Sequence, residues 1–162
     1  MKKGQLIGQI FIYILAIILI AFVLGYGYKT IAAFRQKTEQ VSFIKFRTEL
    51  QNAVKTIATD FGSVKIMQLD VPLNYKKVCF VRSHENFPTS LSSTGYPIIE
   101  DSVNSGIEKN VFLIKDTPKE SFYVGKIDLE GNADFICATV LNVKIKLRLE
   151  GKGNHAVITE AS

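Results

Sequence analysis

One uncharged stretch near the N-terminus constrains the fold more than any other feature of this sequence. No charged side chain occurs between Lys3 and Lys29, and Gln9 is the only strongly polar residue within Leu6–Tyr28. A helix that rises about 1.5 Å per residue can cross a hydrocarbon layer of roughly 30 Å over this length. Two tyrosines near its C-terminal end lie where aromatic side chains anchor a helix at the lipid surface. The stretch therefore predicts a transmembrane helix.

A cleaved secretory signal is the alternative interpretation. Such a signal has a shorter apolar core followed by a small-x-small cleavage site, and Gly25-Tyr26-Gly27 matches that site poorly. Basic residues flank both ends of the stretch, namely Lys2 and Lys3 on one side and Lys29 on the other. The positive-inside rule therefore leaves both orientations open.

A helical period continues beyond the apolar stretch. Lys29–Phe61 contains neither Pro nor Gly, and Gly62-Ser63 follows as a stop signal. We predict a single helix of about 55 residues, roughly 80 Å long, whose second half is an amphipathic stalk. Gly25 and Gly27 serve either as a hinge or as points of close helix packing. The apolar residues expected on one face of the stalk are Ile31, Phe34, Val41, Ile44, Val54, Ile57 and Phe61.

From Ser63 onward the hydrophobic period changes to two, which is typical of β-strands. Val143–Leu149 alternates apolar and polar residues, and the turn that follows predicts a hairpin with Ala156–Ile158. A second hairpin is predicted between Phe122–Leu129 and Ala133–Val140. Short strands joined by short turns predict an α+β fold, in which an antiparallel sheet packs on the amphipathic half of the helix. Further predicted strands are Val64–Leu69, Lys77–Val81 and Val111–Ile114.

A long connection, Ser83–Ile107, is rich in Ser, Pro and Gly and has no sustained period. It is either a recognition loop or a plain connection with a short helix near Ile99–Val103. In a recognition loop the contact area would come from Phe87, Leu91 and Tyr96.

The two cysteines, Cys79 and Cys137, lie in apolar, strand-like runs. A disulfide forms between them if the region is extracytoplasmic and the two strands are neighbours. Closing so long a loop would stabilise the fold by roughly 4 kcal/mol on the chain-entropy model. Two buried free thiols are equally compatible with the sequence.

Signals for catalysis or metal binding are weak. His84 and His155 are the only histidines, each lies in a probable turn, and we expect both at the surface. Gly151-Lys152-Gly153 lacks the spacing of a phosphate loop, and Glu100-Asp101 point in different directions in a helix or a strand. No Gly-x-Ser-x-Gly motif occurs. We therefore expect neither an enzyme nor a cofactor or metal site.

The isoelectric point of about 9.2 reflects the N-terminal part of the chain. Residues 62–162 carry twelve basic and twelve acidic side chains, whereas residues 29–61 carry six and three. A neutral C-terminal region offers no basic footprint for phosphate groups, so nucleic acid is not an expected partner. Basic residues beside the apolar stretch are expected to contact lipid headgroups.

The motif Lys2-Lys3-Gly4-Gln5, placed directly before the apolar stretch, resembles the class III (prepilin-type) signal of archaeal type IV pilin-like proteins. The resemblance covers these residues and the layout of residues 5–61. In that family a prepilin peptidase cuts between Gly and Gln, here Gly4 and Gln5, and the apolar helix stays on the mature subunit. The family usually carries Glu where this chain has Gln9, and members without it can be minor or tip components.

The resemblance implies a structural subunit of a surface filament. Residues 1–4 would be the leader, 5–28 the membrane and filament-core helix, 29–61 the stalk and 62–162 an extracytoplasmic head. The implied partners are membrane lipid, the prepilin peptidase and other pilin-like subunits. Assembly through the N-terminal helix would involve Gln9, Gly25 and Gly27. The alternative is a single-pass anchored binding or accessory module that does not polymerise.

Overall fold

A computed structural model describes residues 5–84, 88, 91 and 94–161, without the side chains of residues 5–9, 32, 33, 35, 36 and 132. The fold is α+β, as predicted. Helix α1 (Gln5–Ala58) comes first. The chain separates into two compact units, and the boundary lies between Gln40 and Val41 within this helix. The predicted leader, residues 1–4, lies outside the described residues.

The described residues of the second unit form the last part of α1, one short helix and eight strands. Helix α2 (Pro97–Asn104) lies between the second and third strands, and a 3₁₀ turn (Glu130–Asn132) lies between the fifth and sixth. The strands, in chain order, are β1 (Val64–Asp70), β2 (Lys77–Val81), β3 (Val111–Ile114), β4 (Pro118–Phe122), β5 (Ile127–Leu129), β6 (Phe135–Thr139), β7 (Lys144–Gly151) and β8 (Ala156–Glu160).

These strands form two four-stranded sheets rather than the single sheet that we expected. The first has the order β1-β7-β8-β5, and the second has the order β4-β3-β2-β6. All neighbouring pairs are antiparallel except β5 and β8, which pair in parallel with Ile127 opposite Ala156. The predicted β7–β8 hairpin is confirmed, with Leu149 opposite Ile158.

The second predicted hairpin is wrong. β5 pairs with β8 in the first sheet, whereas β6 pairs with β2 in the second. The turn between them contains Gly131 at φ +70°, a conformation that glycine adopts without steric cost. The chain therefore leaves one sheet and enters the other at this turn. Strand β4, which no periodicity in the sequence indicated, continues the second sheet beyond β3.

The last part of α1 packs on the sheets through Phe46, Leu50, Val54 and Ile57, all of which are buried. These four residues recur every three or four positions and so share one face of the helix. The rings of Phe43 and Phe46 meet the Phe122 ring edge-on, at centroid distances of 5.7 and 6.1 Å.

The predicted apolar face of the stalk is correct only at Val54 and Ile57. The other five residues of that set are exposed, namely Ile31, Phe34, Val41, Ile44 and Phe61. Phe61 also lies beyond the helix, which ends at Ala58, before the predicted stop. The stalk carries apolar residues at helical spacing on more than one face, and packing in the second unit selects the face that contains Phe46 and Leu50.

The two central strands of the second sheet, β2 and β3, are buried on both faces. Val78 and Phe80 of β2 belong to the core under α1, whereas Cys79 and Val81 point into a second apolar cluster. Helix α2 covers that cluster with Ile99 and Val103, one turn apart. Complete burial explains why β2 and β3 are apolar at nearly every position.

The long connection is thus anchored by the predicted short helix. Leu91 is buried in the second apolar cluster and Tyr96 packs against it. These two side chains contribute to packing rather than to an exposed recognition surface. Phe87, the third residue that would supply contact area in a recognition loop, lies outside the described residues.

The end of α1 lies very close to the first sheet at Gly151. The amide of Gly62 donates to the Gly151 carbonyl at 2.8 Å, and the Gly151 amide donates to the Ser63 carbonyl at 2.9 Å. A Cβ atom on Gly151 would lie 2.0 Å from the Ile57 carbonyl oxygen. Only glycine therefore permits this contact between helix end and strand.

Candidate functional site

The apolar segment of α1 is the most prominent candidate for an interaction surface. Ile10–Ile31 is a stretch of 22 residues that contains an 18-residue window with a mean hydropathy of 2.7, and none of that window is buried. By length and composition it is the one described helix that can cross a membrane. Large apolar side chains are exposed on every side, as in a helix that is surrounded by lipid or by other apolar helices.

The predicted assembly and processing residues lie in or beside this segment. α1 continues through Gly25 and Gly27, and a Cβ atom added at either position would meet nothing within 4 Å. Packing within the described chain therefore does not require glycine at these positions. Gln5 and Gln9 belong to α1, but their side chains lie outside the description, as does the whole of Gly4.

Cys79 and Cys137 are joined by a disulfide. They lie directly opposite each other on the neighbouring strands β2 and β6, with Cα atoms 4.0 Å apart. The bridge connects a central strand to an edge strand within the second sheet. Of the two alternatives that the sequence left open, the structure contains the disulfide.

A second candidate site is formed by His84, Asp128 and His155. One potential ligand atom from each side chain lies within 4.8 Å of the other two. The imidazole rings are stacked with centroids 3.5 Å apart, and His155 Nε2 lies 3.6 Å from Asp128 Oδ2. Two imidazoles and a carboxylate are side chains that bind divalent transition-metal ions. We call these three residues the His–Asp cluster.

The parallel pairing of β5 with β8 positions two members of the His–Asp cluster. Asp128 lies opposite Val157, and His155 precedes β8 by one residue. Because side chains alternate along a strand, His155 and Val157 project on the same side as Asp128. Their neighbours Ile127 and Ala156 point into the core on the other side.

A buried hydrogen-bond network positions the third member. The Ser83 amide donates to the Ile127 carbonyl at 2.8 Å, and the Ile127 amide donates to Ser83 Oγ at 3.2 Å. Asn110 is completely buried, and its side-chain Nδ2 donates to Ser83 Oγ and to the Gly125 carbonyl. The network fixes the backbone immediately before His84 against β5.

Both histidines are half-buried and their rings are stacked, so the expectation that both lie at the surface is wrong. Nδ1 of His84 is buried and has no hydrogen-bond partner among the described residues. Spacing rules missed the cluster because its members lie in two turns and a short strand far apart in sequence. The pairing of β5 with β8 brings Asp128 and His155 together, and the hydrogen bonds between Ser83 and Ile127 bring His84 beside them.

Several surface charges are paired within the second unit. Lys76 donates a hydrogen bond to Asp116 at 2.6 Å, and this contact lowers the pKa of the Asp116 carboxyl. Lys152 hydrogen-bonds Glu150 and likewise lowers the pKa of that carboxyl, with a smaller contribution from Arg148. Partial burial raises the pKa of the Tyr123 phenol, and the charge of Glu108 adds to the effect.

Comparison of the chain with protein families, with characterised proteins and with solved structures gives no match.

Proposed function

We propose that the protein is a pilin-like structural subunit, anchored in a membrane by the first part of α1 before it assembles into a surface filament. The head, residues 62–162, would be extracytoplasmic. The central step of assembly would be the transfer of the apolar helix, residues 5–28, from lipid into a bundle of similar helices. The glutamine at position 9 favours a minor component, because an amide cannot neutralise the N-terminal amine of a neighbouring subunit.

The observation that carries this proposal is the contrast between the two parts of α1. Phe46, Leu50 and Val54 are buried against the sheets, whereas Ile10–Ile31 is apolar and unburied. Leaving so much apolar surface in water costs roughly 25 cal/mol per Å². Lipid or neighbouring apolar helices would remove that cost equally well.

Two further features support an extracytoplasmic head. The disulfide between Cys79 and Cys137 is typical of proteins that fold in an oxidising compartment. The motif Lys2-Lys3-Gly4-Gln5 matches a leader that is removed on the cytoplasmic side of the membrane.

The first experiment is the intact mass and N-terminal sequence of the protein extracted from its native membranes. A mature chain that starts at Gln5, together with recovery of the protein in sheared surface filaments, is the expected result. Gly4→Leu should block cleavage, whereas Gly8→Leu, a matched glycine substitution beyond the scissile bond, should leave it intact.

An intact N-terminus in a protein that stays in the membrane under filament-producing conditions would contradict the proposal. That outcome would favour the anchored module that does not polymerise. Cleavage at Gly4-Gln5 without recovery in filaments would reject the filament role while retaining prepilin-type processing.

A further inference from the structure

We propose that His84, Asp128 and His155 form a binding site for one divalent transition-metal ion, with Zn²⁺ as the first candidate. The site is independent of the proposed filament role, because all three residues lie in the second unit. It would have three protein ligands, two imidazole nitrogens and one carboxylate oxygen. Zinc sites with three protein ligands complete their tetrahedral coordination with water.

The first argument is the orientation of His155. Its Nδ1 lies 2.6 Å from Asn154 Oδ1, and because an amide oxygen only accepts, this contact favours the tautomer with the proton on Nδ1. In that tautomer the lone pair is on Nε2, the nitrogen that lies 3.6 Å from Asp128 Oδ2. A hydrogen bond on the distal nitrogen is the usual way in which proteins orient a metal-binding histidine.

The second argument is the buried Nδ1 of His84. A buried polar atom without a hydrogen-bond partner is costly, and among the described residues nothing compensates this nitrogen. A metal ion is a Lewis acid that would accept its lone pair. The same ion would neutralise the charge of Asp128, whose side chain is three-quarters buried.

The third argument is the rigidity of the surroundings. Ser83 hydrogen-bonds both backbone groups of Ile127, and Asn110 fixes Ser83, so His84 and Asp128 start from a common rigid base. His155 directly precedes β8, the next strand of the same sheet. Ligands held on packed elements lose little conformational freedom when an ion binds.

The geometry requires only side-chain adjustment. Tetrahedral zinc with bonds of about 2.0–2.2 Å places its ligand atoms roughly 3.3–3.6 Å apart. The three ligand atoms now lie within 4.8 Å of one another, so they need to approach by about 1 Å. The imidazoles are stacked and present their nitrogens in nearly parallel directions, so the stack must open and the two rings must splay apart before both nitrogens can converge on one ion.

The test is metal binding by the full chain in detergent micelles, prepared without a histidine tag and treated first with a chelator. We expect one Zn²⁺ per chain in isothermal titration calorimetry, and a Co²⁺ complex with the visible absorption of a tetrahedral or five-coordinate ion. Zinc at about 100 times its dissociation constant should raise Tm by roughly 5–10 °C.

Three variants examine the ligands individually. His84→Ala, His155→Ala and Asp128→Asn should each weaken Zn²⁺ binding at least 10-fold and abolish the Co²⁺ spectrum. Asp101→Asn removes an exposed carboxylate on α2, and this control variant should bind Zn²⁺ as tightly as the unmodified chain. Asp128→Asn preserves side-chain shape, so it keeps the test valid if a histidine variant fails to fold.

The proposal is overturned if the unmodified chain shows no saturable binding, or if Asp128→Asn and Asp101→Asn bind zinc equally well. Zinc binding by a chain that never enters filaments would leave the metal site standing and reject only the filament role.

Discussion

The buried amide of Asn110 donates a hydrogen bond to the hydroxyl of Ser83, with Nδ2 2.8 Å from Oγ. Ser83 Oγ in turn donates to the Gly125 carbonyl and accepts from the Ile127 amide. A hydroxyl has one proton to donate and two lone pairs, so the hydrogen-bonding capacity of Ser83 is fully used. The pair joins the end of β2, the start of β3 and the segment that leads into β5.

Removal of the Asn110 side-chain amide is expected to destabilise the second unit. Asn110→Ala leaves the buried Val124 amide without the Asn110 Oδ1 acceptor, which now lies at 3.0 Å. The free energy of unfolding should fall by about 2–4 kcal/mol, because buried polar groups lose their partners and a cavity is left. Denaturant unfolding measures the change. Asn52→Ala, at an exposed position on α1, is the control and should change the free energy of unfolding by less than about 0.5 kcal/mol.

Substitution of Gly151 is expected to separate the end of α1 from β7. Gly151→Ala would place a Cβ atom 2.2 Å from the Asp60 carbonyl oxygen, so the backbone must move. The loss should be about 3 kcal/mol, seen as a lower Tm and a lower urea midpoint. Gly25→Ala is the control, because its added methyl group meets nothing within 4 Å. Equal stability of the two variants would contradict the close contact.

Loss of the disulfide is expected to lower stability without a change of fold. The bridge closes a sequence separation of 58 residues, so Cys79→Ala with Cys137→Ala should cost about 2–4 kcal/mol. Thermal unfolding with and without dithiothreitol measures the effect. The reductant should lower Tm of the unmodified chain and leave the double variant unchanged. An equal Tm for the double variant and the oxidised unmodified chain would show that the bridge adds no stability.

The Glu150 carboxyl is expected to titrate below its usual value of 4.5, mainly because Lys152 hydrogen-bonds it. Its folded-state pKa is depressed, so the pair stabilises the fold above the ordinary Glu pKa. That contribution is lost as the pH falls through the depressed value. Carboxyl-detected NMR titration gives the pKa directly. Lys152→Gln should raise it towards 4.5, whereas Lys109→Gln, on a different part of the chain, should not.

Local patterns in the sequence were sufficient for most of the strands. β2 and β3 have the predicted bounds, and the β7–β8 hairpin follows from alternation and a four-residue turn. These features depend on residues close together in the sequence, and the local hydrophobic period together with the turn residues is enough to predict them. The short helix α2 was likewise indicated by a few residues around Ile99.

The remaining features depend on contacts between residues that are far apart in the sequence, which limited what could be predicted. Glu130-Gly131-Asn132 looks like a hairpin turn, yet the chain changes sheets there, because β5 finds its partner in β8. No property of residues 127–139 alone encodes that choice. The His–Asp cluster depends on the same pairing, so the sequence could not predict it. The buried face of the stalk was obscured for a different reason, since Phe46 and Phe34 both lie on apolar faces of the helix and only Phe46 is buried.

The place of β8 between β7 and β5 also sets an order of events during synthesis. β8 is made after every other strand, but it is the only neighbour of β5 in the first sheet. A nascent chain that has emerged as far as β7 contains all four strands of the second sheet and both cysteines, whereas β5 still lacks the partner for its backbone edge. A chain that ends before His155 would thus leave β5 without its partner strand and His84 without the ring that stacks on it.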